Sequence, residues 1–189
     1  FLLIAGAAFG FSGYRLNKLI QLMKAQQGKA PPVTEIPRRL IDTLVYVLGQ
    51  KAVLRKRVAG IMHTTIFWGF IIWQPFTLNL ILEGFSDNIT LGHLLGPVWQ
   101  AYTLLVEVAS VGILVGCALA VYRRVVIRPA NLESHADAYL ILGLIAGLMF
   151  TYFASEALLL NASGERSAWY APVSTALTGI MPTGDGAVL

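Results

Sequence analysis

The sequence predicts an all-α integral membrane protein, a transmembrane helix bundle with four spans in this chain and a fifth expected in the complete domain. Two observations carry that prediction. Hydrophobic residues make up 56% of the chain and charged residues only 13%, whereas a soluble domain carries about a quarter of its residues charged. The apolar residues also fall into four stretches near the ~20 residues needed to cross the hydrocarbon. Helix is the expected state of each, because an open strand edge in lipid leaves backbone groups unpaired.

Taken in order, the first span covers about 1–22 and is interrupted late by Arg15 and Lys18. A loop over 23–57 follows, proline-rich at first and then amphipathic, with Ile41, Leu44, Val45 and Leu48 at helical spacing. A short helix lying on the membrane surface explains that pattern; docking to a soluble domain is the alternative. The second span, 58–82, starts directly after "RKR" and carries Pro75, which should kink it. The third and fourth spans cover 98–122 and 136–160, and a tail over 161–189 holds no span. Of the 14 lysines and arginines, only Arg166 falls on the far side from the rest. Basic loops stay in the cytoplasm, so the amino terminus and the tail are expected outside, in a prokaryotic cytoplasmic (inner) membrane. The whole of 1–189 is expected to form a single transmembrane domain.

Several function classes are excluded. The single cysteine, Cys117, offers neither a disulfide framework nor a metal cluster. No phosphate-cradling glycine loop, nucleophile–base pair or zinc spacing is present. The net charge of +4 is explained by topology, so nucleic acid is not an expected partner.

The second span contains the first candidate site. His63 lies just inside it, and Gly60, Phe67, Phe70 and Gln74 share its helical face. Glycine would let a flat macrocycle approach, the phenylalanines would pack its faces, and imidazole could ligate heme iron. The same histidine could instead reach the headgroups or bond a neighbouring helix. A b-type heme with two axial histidines needs a second ligand, and the candidates are His93 in the outer loop and His135 at the start of the fourth span. His135 also reads as part of a helix start in "ESHAD". Glu107, the deepest carboxylate, is a candidate quinone-site or proton-relay acid, with a structural interhelix hydrogen bond as the plainer reading. Glu156 lies nearer the outer face, so a headgroup-facing role is its default; should a quinone site lie on the outer side, Glu156 and His93 would be its neighbours. Trp99, Tyr102, Trp169 and Tyr170 read as interfacial belt residues.

"LGQKAVLRKRVAGIMHTTIFWGFIIW" and "HADAYLILGLIAGLMFTYFASEALLL" together resemble the membrane domain of heterodisulfide-reductase-related iron–sulfur oxidoreductases, the electron-transfer-flavoprotein:menaquinone type. That domain is itself similar to the gamma subunit of respiratory nitrate reductase. The resemblance implies a cytochrome b-like domain with heme b, one or two, and His63 as the second-helix ligand. It implies menaquinone as substrate, and a cytoplasmic iron–sulfur or flavoprotein redox partner beside the lipid bilayer. The sequence departs from the pattern where the gamma subunit has another histidine about three turns on; those positions read Trp73 and Gln74. A fifth helix with histidines and the cysteine-rich cluster module are not among these residues, so iron–sulfur clusters are expected only in a further region or a partner. The competing readings are a cofactor-free membrane anchor for a cytoplasmic redox enzyme and a small transporter. The latter is disfavoured by the lack of paired repeats with broken helices.

Overall fold

A computed structural model describes residues 2–25, 35–85, 90–129, 136–165 and 168–181. Among them the chain is helical, without strands. The elements are α1 (Leu2–Ala25), α2 (Ile36–Thr43), α3 (Arg57–Glu83), α4 (Leu91–Leu95), α5 (Pro97–Tyr122), α6 (Ala136–Ser163) and α7 (Pro172–Leu177). A wide π-type turn, Leu44–Leu48, extends α2, and another, Arg123–Ile127, extends α5.

Among the described residues three helices are long and apolar enough to cross a membrane: α3, α5 with its extension, and α6. The expected first span is the exception. Its apolar stretch is broken at Arg15 and Lys18, short of the ~20 residues a crossing needs. Of the four spans expected in this chain, length and composition support three among the described residues. Side chains of α1 are exposed along nearly its whole length. The amphipathic loop segment is helical as expected, with Ile41, Leu44, Val45 and Leu48 all exposed.

α5 is the centre of the bundle: 39% of its apolar window is buried, against 17% for α3 and for α6. Its contact with α3 is an exchange of knobs and gaps. Ile113 of α5 fills the space over Gly69 of α3, and Ile66 of α3 fills the space over Gly116 of α5. A Cβ on Gly69 or Gly116 would lie 2.5 or 2.8 Å from those isoleucines. Small residues at such crossings let helices in lipid gain dispersion contact that water would otherwise not drive. Trp73 ties the same pair together, its indole Nε1 donating to Ser110 Oγ at 3.0 Å, which in turn donates to the Val106 carbonyl. The core continues through Val106, Ile113, Cys117, Met149, Tyr152 and Phe153.

Connectivity gives the bundle two unlike ends. The end of α3, the start of α5, the end of α6 and both short helices, α4 and α7, gather at one, termed the α7 end. The other, the basic end, carries Lys51, Arg55, Lys56 and Arg57 beside the Arg123–Arg128 segment.

Candidate functional site

Pro75 removes one backbone donor inside α3, and the chain repairs the damage from α5. The Tyr102 hydroxyl accepts from the Phe76 N–H at 2.9 Å and donates to the Ile72 carbonyl at 2.6 Å. Those two groups are the donor and acceptor of one ordinary helical bond, so the phenol has inserted into the ladder, a recognised cause of kinking. Tyr102 is therefore turned inward, and with it Trp99, whose ring stacks near Phe76 at 6.2 Å between centroids. The belt reading of these two residues is corrected accordingly. Trp169, 62% exposed, fits that reading.

Glu107 is fully buried on α5. Its two oxygens accept from the start of α7: Oε2 from the Val173 N–H at 2.7 Å, Oε1 from the Ser174 N–H at 3.1 Å. The Ser174 hydroxyl also donates to Oε1. Pro172 begins the helix, where its missing N–H costs nothing, and the next two N–H groups have no partner within the helix itself. Three donors satisfy this carboxyl group away from water, and the arrangement pins α7 to the bundle. Sequence reasoning places Glu107 at depth but misses α7. The signal for α7 is the proline at its first position ahead of "VSTAL".

Beside this clamp, a cleft of about 500 Å³ opens between α3 and α6. Trp73, Phe76, Trp99 and Tyr152 supply aromatic walls, and Glu156 and Glu83 lie in its lining. The Tyr152 ring meets Trp73 and Phe76 edge-on, with centroids at 4.9 and 5.3 Å. Tyr152 is only 4% exposed, and its hydroxyl has no hydrogen-bond partner. Buried hydroxyls are nearly always paired; among the described residues Tyr152 and Thr64 are exceptions, and of the two only Tyr152 borders this cleft. Glu156 is half-buried one turn further along α6, on the same face. The other polar groups of the lining are engaged locally. Asn79 donates to Glu83 at 2.8 Å and accepts from the Leu91 N–H at 2.6 Å. Thr151 and Ser155 donate to carbonyls of their own helix. Sequence reasoning singles out Glu156 but passes over Tyr152, because an aromatic residue in an apolar helix carries no sign of its unpaired end.

The histidine face of α3 is at the other end. His63 is exposed, as are Phe70 and Gln74, and Phe67 is half-buried. Gly60 is buried, but its bare face is already filled: a Cβ there would lie 2.5 Å from the Val53 carbonyl oxygen and 2.8 Å from the Leu54 Cα. The close approach expected of a macrocycle is made by the chain's own backbone. His93 sits on α4 at the α7 end, exposed, its N–H bonded to the Thr90 hydroxyl. His135 lies outside the described residues. No group of three or more metal-ligating side chains occurs among the described residues. His63 and His93 lie on different helices at opposite ends of the bundle, so the described residues bring no two histidines together.

Taken together, fold and site define a helical protein with three membrane-length helices and an aromatic cleft holding unspent polar groups. Over 154 residues it is 31% identical to the probable iron-sulfur-binding oxidoreductase FadF of Bacillus subtilis, an alignment covering 79% of this chain and 22% of that protein. Over 138 residues it is 26% identical to the EtfAB:quinone oxidoreductase of Syntrophomonas wolfei, covering 72% of this chain and 19% of that protein. The chain thus spans about a fifth of the length of these curated relatives, and supports a relationship to their oxidoreductase family at modest identity. No family model matches the chain, and no solved structure matches it.

Proposed function

We propose that this chain is the membrane-embedded, quinone-reactive part of an electron-transfer oxidoreductase. It passes electrons between a cytoplasmic iron–sulfur or flavoprotein partner and the menaquinone pool. The observation that carries the reading is the alignment of 72% of the chain with a protein named as a quinone oxidoreductase, laid over three membrane-length helices. A quinone partitions into lipid, so a protein serving it must present its reactive surface at membrane depth, and three helices of membrane length fit that need. The basic end faces the cytoplasm by the positive-inside rule.

In the same proposal His63, on the exposed face of α3, would hold a b-type heme together with a ligand from residues beyond the described ones. Bound there, the heme would supply one-electron transfer between the partner and the quinone. The chain's own part is to orient the imidazole. The exposure of His63, Phe70 and Gln74 supports a covering group, since a polar imidazole facing bare lipid is rare without a use. The alternative, a cofactor-free anchor, gives α3 the same exposed face but leaves it colourless.

A reduced-minus-oxidised spectrum of the purified protein separates the two. A b-type α band that falls by half or more in His63→Ala is the expected outcome. A well-folded preparation with no such band removes the heme, and a band unchanged by the substitution moves its ligand elsewhere.

A further inference from the structure

The cleft at the α7 end has walls, a size and two polar groups that together describe a ligand. Its volume of about 500 Å³ falls in the range of small-molecule sites. The walls are aromatic and apolar, suited to a flat ring, and the opening is between membrane-length helices, where a lipid-soluble molecule arrives sideways. Asn79, Thr151 and Ser155 spend donors within the protein, and Glu83, exposed at the rim, accepts from Asn79. Two groups remain. The Tyr152 hydroxyl is buried and without a partner, and no hydrogen bond is made by the Glu156 carboxylate among the described residues.

The geometry points to a quinone ring site in which Tyr152 donates a hydrogen bond to a quinone carbonyl and Glu156 accepts one from a quinol hydroxyl. This rests on the quinone-linked reading above and adds to it the place and the contacts. The pairing follows from what each redox form offers. An oxidised quinone presents only acceptor oxygens and needs a donor, which a phenol provides and a carboxylate does not. A quinol presents hydroxyl donors, and a carboxyl oxygen can accept one. One turn separates the two side chains on α6, so both can address one ring and the site can hold either form. Glu107, by contrast, has its oxygens taken by α7. Its part is to position α7 beside the cleft, and contact with the ring falls to Glu156.

The test is equilibrium binding of 2,3-dimethyl-1,4-naphthoquinone and, under anaerobic reduction, its quinol, to the full chain in detergent micelles. Tyr152→Phe keeps the ring contacts and should weaken quinone binding about fivefold to tenfold, the loss of one hydrogen bond of about 1 kcal/mol. Glu156→Leu should weaken the quinol about tenfold and leave the quinone nearly unchanged. Leu159→Trp, placed at the exposed mouth of the cleft, should exclude both forms without touching the core. If both forms bind and none of the three variants alters their affinity, the cleft is not the site and the quinone-linked reading stands without it. If neither form binds the folded wild-type protein, that reading fails and takes this one with it.

Discussion

At the α7 end of the bundle, nearly every polar group in the apolar interior has been given a partner: Glu107 by the start of α7, Asn79 by Glu83 and Leu91, and Tyr102 by the broken ladder of α3. Toward the basic end Lys51, Arg55, Lys56 and Arg57 are exposed, while Gln50 Oε1, Thr64 Oγ1 and Arg124 Nε are buried without a partner, and glycine brings the chain against itself at Gly60. The difference shows two ways of tolerating polarity in lipid. One satisfies each group internally and leaves a deliberate remainder, here Tyr152 and Glu156. The other leaves its charged run at the surface for headgroups, water or another polypeptide to meet. A ligand entering at the α7 end finds its walls already built, whereas one binding at His63 needs a second surface to close over it.

The largest expected effect breaks the satisfied end. Glu107→Ala strands two backbone donors and a hydroxyl that are otherwise tied to a buried carboxylate. Hydrogen bonds to a charged acceptor are worth about 1.5–3 kcal/mol each, and unsatisfied buried groups carry a similar penalty. Loss of about 3 kcal/mol is expected, seen as a melting temperature lowered on the order of 10 °C for a chain this size. Hydrogen exchange should quicken at Val173 and Ser174 first. Glu107→Gln retains an acceptor but brings an amide N–H toward donors, so it should fall between wild type and alanine. Equal melting temperatures for all three would mean that α7 is not held this way.

At the basic end the sharper probe is Gly60→Ala. Its Cβ would press on the backbone of Val53 and Leu54, which cannot rotate away as a side chain could. Overpacking of this kind costs about 1–3 kcal/mol, and the cost should be present in protein prepared without heme. Were Gly60 instead reserved for a macrocycle, the variant would lose heme and keep its heme-free melting temperature. That result would restore the reading in which Gly60 and His63 serve one group.

The spans were legible because each is a local property, a run of apolar residues of the right length, and α3, α5 and α6 begin and end within a few residues of where hydropathy puts them. Residues 1–22 were less so, since Arg15 and Lys18 shorten the run and nothing nearby in sequence says whether they are sheltered. Site chemistry was legible only where a rare residue type announced itself. Glu107 and His63 stand out in an apolar helix. What each one touches was not readable, because Val173 and Ser174 lie more than sixty residues beyond Glu107, and the pairing exists only once α5 and α6 are packed. Tyr102 and Tyr152 pass for belt or core aromatics until the neighbours of their hydroxyls are known. One repairs a proline break and the other faces a cleft, and the sequence writes them alike.

The smallest expected effect lies in the tail that links α6 to α7. Tyr170 donates to Glu165 at 3.1 Å. Burial, then that bond and the charge of Glu165, push its phenol up to about 12 from an ordinary value of 10. A raised value means the folded state holds the proton more tightly than the unfolded chain does. The contribution is therefore complete below pH 10 and is lost as pH rises from 10 towards 12. Because the ring is only partly buried, its worth should stay below about 1 kcal/mol. Tyr170→Phe should lower the melting temperature slightly at pH 8 and shrink the further fall between pH 10 and 12. A variant whose alkaline melting profile overlays the wild type would show that this end of the tail does not help to hold α7, leaving Glu107 as the principal tie.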